Sequence, residues 1–454
     1  MGLRRLGWLL AAAWLVAACA AAQAKGPDRR VRELRSLRWG MFICWSFSTF
    51  SGTEWTPGVQ DASFFRATGC DTDQWARTAK EAGMGYILFL AKHHDGFCLW
   101  DTQTTERKVT RSPLGVDVLA KLRASCRKYG IKLALYFSEG DWTWPGAKDG
   151  LGGGTGHNPE MQREQLRELC TRYGPIEFFW MDCAAGHPGT THEEVMAWVK
   201  RFQPGCFVGF NGGGGDLRAG EMARPGPLPK GSPYRIAEFT YPILPPHQGG
   251  AMWFYSLPMH DELCLPAERL YRDYAAGVKH GNIFSLDVGP DPAGLLRKVD
   301  VETLRRVGAM IRNPPKPEAP PISERKAASA SSVWPEPGYE AAMAFDGDES
   351  TRWGAAADAR SGRLQVDLGR EMEIGRAVVM EIGYRRTQQF AIEVEEAGAW
   401  RAVVTGDALG GERSFDFPPV RTRRVRLNIL KASEVPTIEE FRIYPPAPAG
   451  SAKR

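Results

Sequence analysis

Between Trp39 and about Ile311, short apolar runs alternate with amphipathic stretches. Residues 40–44, 86–90, 131–137, 176–181, 206–210, 236–239 and 282–288 are too short and too uniformly apolar for surface helices, and they read as buried strands. Between them, residues 72–83, 114–129, 161–173, 193–202 and 295–311 carry a helical spacing. Asp71 stands where an N-cap is wanted, and Gly130 where a helix must end in a left-handed residue. Apolar strands alternating with helices predict parallel βα units and the α/β class. About eight such units in roughly 280 residues fit a TIM-like (β/α)8 barrel. A doubly wound sheet is the runner-up, but no Gly-rich phosphate loop follows the first strand.

The pattern then changes. Asn313-Pro314-Pro315-Lys316-Pro317-Glu318-Ala319-Pro320-Pro321 is a stiff linker. Beyond it, residues 364–368, 390–394 and 423–427 alternate with a period of two and are separated by turns. That pattern predicts an antiparallel β-sandwich. The expected organisation is a leader at 1–24, a catalytic barrel at 32–312, a linker at 313–323 and a sandwich at 324–446.

Composition narrows the class. The 454 residues carry a net charge of +5 with no basic stripe, which argues against nucleic acid as a partner. Arg4-Arg5, an apolar run from Gly7 to Ala22 and Ala22-Gln23-Ala24 have the layout of a secretory signal. Val16-Ala17-Ala18-Cys19 also resembles a lipobox, which would make Cys19 a lipidated first residue; an uncleaved anchor is the third reading. The expectation is export to the periplasm or the exterior. No later segment is long and apolar enough for a transmembrane helix. Apart from Cys19, eight cysteines are scattered without CxxC or metal spacing. They are expected to be mostly buried free thiols, and no metal site is expected in the barrel.

Chemistry in a barrel belongs at the C-terminal ends of its strands. Lys92-His93-His94-Asp95-Gly96-Phe97 follows the second strand, and Asp182 ends an apolar strand beside Trp180. The next helix starts too far from Asp182 to need it as a cap. Glu238 is another acid within a strand, and Glu54, Glu139, Asp141, Glu221 and Glu262 compete with it. Two carboxylates from different strands are what glycosidic cleavage requires: one attacks the anomeric carbon and the other protonates the leaving oxygen.

Thr53-Glu54-Trp55, Asp71-Thr72-Asp73-Gln74-Trp75, Ala91-Lys92-His93-His94-Asp95-Gly96-Phe97-Cys98-Leu99-Trp100 and Trp180-Met181-Asp182 resemble the α-L-fucosidases of glycoside hydrolase family 29. The resemblance spans about Leu34 to Ile311. It implies a retaining exo-hydrolase acting on fucosylated glycans, with no cofactor required. It makes Asp182 the nucleophile, His93, His94, Glu54 and Trp55 binders of sugar hydroxyls, and Trp180 a residue stacking near the sugar. Tyr136 and Trp253 complete the implied substrate-binding set. Ala237-Glu238-Phe239-Thr240, followed by Met252-Trp253-Phe254-Tyr255, is similar to the acid/base stretch of one branch and implies Glu238 for that role. One position departs: the family usually has His where this chain has Cys44. A barrel hydrolase for a related sugar and a non-catalytic carbohydrate-binding protein are therefore the alternatives. Residues 344–353 with 364–369 resemble discoidin-type (factor 5/8 type C) modules, which implies a carbohydrate-binding sandwich with a structural calcium near Asp346 to Thr351.

Overall fold

The computed structural model describes residues 27–446, apart from 57, 59–60, 149–153, 185, 246–250, 256, 317–318, 350 and 382–385. The expected leader, with Cys19, lies outside the described residues, as does part of the Pro-rich linker. The chain divides into two compact units, a barrel and a second unit made mainly of residues from Pro315 on.

The barrel strands are β1 (Trp39–Ile43), β2 (Tyr86–Lys92), β3 (Lys132–Ser138), β4 (Phe178–Asp182), β5 (Phe207–Phe210), β6 (Arg218–Glu221), β7 (Ala237–Pro242) and β8 (Ile283–Asp287). They form one sheet in the order β5-β4-β3-β2-β1-β8-β7-β6, and every ladder in it is parallel. Closure between β1 and β8 joins the first strand to the last, as the barrel expectation requires and a doubly wound sheet does not. At the seam between β5 and β6, Gly209 bridges Gly215, and Asp216 and Leu217 N–H donate to Val208 O at 3.0 and 3.3 Å. Strands of such a sheet are covered on both faces, which explains why β1, β2, β7 and β8 are buried throughout.

Caps fix where the flanking helices begin. Asp71 accepts from Gln74 N–H at 2.9 Å and starts the helix Thr72–Glu81. Asp117 accepts from Ala120 N–H at 2.8 Å, so the next helix runs Val118–Tyr129 and not from residue 114; Gly130, at φ 70°, closes it. Among the elements with no counterpart in the sequence reading are the helices Pro27–Ser36 and Ala267–Lys279 and the strand Arg218–Glu221. The strand is four residues long with a charge at each end, so no apolar run announces it.

The second unit holds β9 (Ala327–Ala330), β10 (Trp353–Gly354), β11 (Gly362–Glu381), β12 (Thr387–Glu396), β13 (Ala399–Gly406), β14 (Gly411–Ala432) and β15 (Thr437–Tyr444). All pair antiparallel. Register shifts at Asp367/Met372 and Ile374/Arg376 bend the long β11–β14 ribbon. The inward side chains, among them Phe345, Trp353, Val366, Ile392, Leu427 and Phe441, form one core. In the turn after Phe345, Asp346 accepts from Asp348 N–H and from the Thr351 hydroxyl, both at 2.8 Å. Among the described residues no group of three or more His, Cys, Asp or Glu could hold a metal ion. The eight described cysteines are all free thiols, six of them buried.

Trp353 is wholly buried and its indole N–H donates to Ser332 O at 3.0 Å. Trp353→Ala should therefore cost the sandwich about 3–5 kcal/mol, read as a lowered urea midpoint of that unit. An unchanged midpoint would mean the core is not organised around this ring.

Candidate active site

Three consecutive strands end in polar residues at the barrel mouth. Asp182 is the last residue of β4, Asn211 directly follows β5, and Glu221 is the last residue of β6. The Asn211 side-chain amide donates to Asp182 Oδ1 at 3.1 Å and to Glu221 Oε2 at 2.8 Å. Those two oxygens therefore lie no more than about 6 Å apart, a limit that admits the spacing of roughly 5–5.5 Å used by retaining glycosidases. Asp182 is held further by the Tyr136 hydroxyl, which donates to Oδ2 at 2.6 Å, and by Cys183 N–H at 2.8 Å. His94 Nε2 stands 3.7 Å from Oδ2.

Both carboxylates precede a strained residue. Cys183 and Met222 each have φ 50°, a region non-glycine residues adopt at a cost, and one found preferentially at functional sites. Between Asn211 and β6 the chain turns on Gly212, Gly213, Gly214 and Gly215, all with positive φ. Only glycine takes four such conformations in succession without Cβ strain. The glycine run is thus the backbone device that brings β6, and Glu221 with it, back beside β5.

A cavity of about 400 Å³ opens beside this pair. Its wall includes Phe42, Cys44, Glu54, Trp55, His93, His94, Tyr136, Trp180, Glu221, Met222, Thr240 and Trp253. The chain thus brings seven of the nine residues expected at the site into the cavity wall: His93, His94, Glu54, Trp55, Trp180, Tyr136 and Trp253. The eighth, Asp182, is hydrogen-bonded to the wall residue Tyr136. Trp180 lies against Tyr136 with centroids 5.5 Å apart and planes at 18°. His93 and His94 pack at 4.0 Å. His94 Nδ1 pairs with the Ser138 hydroxyl at 2.7 Å, which directs Nε2 toward Asp182. Burial, and then the neighbouring His94, lowers the His93 pKa well below its usual value, so a neutral imidazole faces the cavity. Its Nδ1 is buried and has no hydrogen-bond partner among the described residues. Glu54 accepts from Met252 and Trp253 N–H at 2.8 and 3.3 Å. Burial still raises its pKa to about 7 against the pull of those two donors.

Glu238 is the exception. It is the second residue of β7, fully buried, and pairs in register with the first residue of β8. It does not line the cavity; its Oε2 accepts from the Trp180 indole N–H at 3.0 Å. The expectation of an acid/base at Glu238 is corrected on this ground: the carboxyl lies beneath Trp180, where a leaving group cannot reach it. Of the competing acids, Asp141 is engaged by Lys92 and Thr143, and Glu139 is almost wholly buried. Glu221 has the required position. Burial, and then the Asp182 charge, raises its pKa above the ordinary glutamate value while Asn211 opposes the rise.

A barrel whose mouth carries two carboxylates on one amide, beside an aromatic and histidine-lined cavity, has the makings of a glycosidase site. Comparison with known proteins places it more closely. The alpha-L-fucosidase profile matches residues 56–313, and the F5/8 type C domain profile matches residues 327–441. The chain belongs to the alpha-L-fucosidase family of glycoside hydrolases. Alpha-L-fucosidase 1 of Arabidopsis thaliana is 26% identical over 465 residues, covering 91% of this chain and 86% of the relative. A glycoside hydrolase 29 family member from a rumen bacterium superposes with a TM-score of 0.53 at 25% identity, covering 92% of this chain and 76% of its own. A Ruminococcus gnavus family 29 fucosidase solved with fucose gives a TM-score of 0.51 at 20% identity, covering 93% and 95%.

The histidine turn gives a direct test of the wall. Asp95 accepts from Phe97 N–H and the Ser46 hydroxyl, and Gly96 has φ 74°. A Cβ on Gly96 would meet the Asp141 carboxylate at 2.5 Å. Gly96→Ala should cost about 2 kcal/mol of barrel stability and displace His93 and His94, lowering kcat/KM more than about tenfold. Wild-type urea unfolding and turnover together would show that the turn does not set the wall.

Proposed function

We propose that the chain is a retaining exo-α-L-fucosidase in which Asp182 is the nucleophile and Glu221 the acid/base. The observation that carries this reading is the single Asn211 amide joining the two carboxylates. In the first step Asp182 attacks the anomeric carbon while protonated Glu221 gives its proton to the leaving oxygen. The products are a fucosyl ester of Asp182 and the free aglycone. In the second step ionised Glu221 takes a proton from water, the water attacks the same carbon, and fucose leaves with net retention. The Tyr136 and Asn211 hydrogen bonds orient the attacking carboxylate, and the neutral His93 and half-buried Glu54 supply polar contacts for sugar hydroxyls. Trp55 and Met222, both exposed at the rim, face the side from which a fucosylated glycan would enter.

A related sugar is a second reading, favoured by one observation: Cys44 occupies part of the cavity wall. Comparing kcat/KM across aryl glycosides of L-fucose and its stereochemical relatives decides between the two; a clear preference for a sugar other than fucose would overturn the first.

Asp182→Asn should lower kcat by about 10³-fold or more on every substrate, with the near-UV circular dichroism unchanged. Glu221→Gln should lose most with a poor leaving group, keep partial turnover with a nitrophenol, and recover with azide. Substantial turnover of Asp182→Asn, or equal losses across leaving groups for Glu221→Gln, would overturn the assignments. The pH profile gives an independent sign. Glu221 must be protonated to act as the acid, and its pKa is raised, so kcat/KM should fall as pH rises, above the ordinary glutamate range. That alkaline limb should vanish in Glu221→Gln.

A further inference from the structure

None of the Glu238 side chain reaches solvent. A carboxyl held that deep is unfavourable unless its polar atoms are bonded; Oε1 has no hydrogen-bond partner among the described residues, which leaves the carboxyl dependent on the bond at Oε2. Glu238 Oε2 accepts the Trp180 indole N–H at 3.0 Å. The Trp180 ring lies nearly parallel to Tyr136, and the Tyr136 hydroxyl donates to Asp182 Oδ2 at 2.6 Å. Packing alone would let a flat indole slide or turn in its own plane; a hydrogen bond from its one polar atom removes that freedom. The indole then backs the phenol, and the phenol sets the direction of one oxygen of Asp182.

We propose that Glu238 is a positioning residue for the reaction: by anchoring Trp180, it fixes the aromatic wall that aims Tyr136 at the nucleophile. The inference rests on Asp182 being the nucleophile. It gives Glu238 no contact with the substrate, in keeping with its absence from the cavity wall. Burial raises its carboxyl to about 8, against the hydrogen bond from Trp180, so the neutral form prevails at pH 7. A glutamine has the shape of that neutral acid and offers the same acceptor to the indole; a leucine has the bulk and no acceptor.

The test measures kcat and KM of Glu238→Gln and Glu238→Leu on a nitrophenyl fucoside and on a fucosyl disaccharide, with and without azide. Glu238→Gln should lose no more than about threefold in kcat. Glu238→Leu should lose about thirtyfold in kcat on both substrates alike, with KM changed less than threefold and no azide rescue. Wild-type kcat in Glu238→Leu would overturn the proposal. So would a Glu238→Gln loss confined to the disaccharide and rescued by azide, which is the signature of an acid/base. If Glu238→Leu does not fold, Trp180→Phe removes the same bond from the other side. It should lose about tenfold in kcat, and wild-type kcat would overturn the anchor. Failure of the nucleophile assignment is separate, since it appears as turnover in Asp182→Asn whatever Glu238 does.

Discussion

One amide nitrogen holds two carboxylates together at the barrel mouth. β5 stands between β4 and β6 at the mouth, so the ends of β4 and β6 are not direct neighbours. Asn211, carried at the end of the strand between them, closes that interval by donating to both. Two like charges this close repel by on the order of 1–3 kcal/mol once solvent screening at the mouth is allowed for. The repulsion is relieved when one carboxyl keeps its proton. Burial, and then the Asp182 charge, raises the pKa of Glu221, and this is the division of roles a double displacement needs.

The rest of the wall depends on that pair being held still. Asp182 has donors on both oxygens, Tyr136 on one side and Asn211 with the Cys183 amide on the other. Behind Tyr136 stand Trp180 and then Glu238; beside it lie the paired histidines, fixed through Ser138. The four-glycine turn and the left-handed Cys183 and Met222 show where backbone strain is accepted to obtain this geometry. The barrel supplies rigidity through strands buried on both faces, and the C-terminal ends of those strands, with the residues just beyond them, supply the polar groups, as the fold favours.

Much of this was legible in the sequence. An acid closing a five-residue apolar strand, as Asp182 closes β4, cannot be a core residue and is too far from the next helix to cap it. The paired histidines after β2 carry a similar signal. Asn211 has the same signature, a polar residue directly after an apolar strand, and attention to amides as well as acids would have found it. Glu221 was one of several competing acids because Arg218-Ala219-Gly220-Glu221 has no apolar period to mark it as a strand. Glu238 was misplaced for a different reason. Strand alternation reports which face a side chain takes, but not its height along the barrel axis. Thr240 and Glu238 share a face of β7; Thr240 reaches the cavity wall, whereas Glu238, two residues earlier, is sealed beneath it. Family resemblance could not correct this, since similar motifs preserve a residue's identity without fixing its depth.

The proposed double displacement requires that Asp182, and no other acid of this mouth, bond to the sugar. The most direct measurement traps that bond: incubation with a 2-deoxy-2-fluoro fucosyl fluoride, proteolysis, and mass mapping of the labelled peptide. A single fluorofucosyl group on Asp182 is the expected result, with turnover lost in step with labelling. A label on Glu221 or Glu54, or inactivation with no covalent sugar attached, would contradict it.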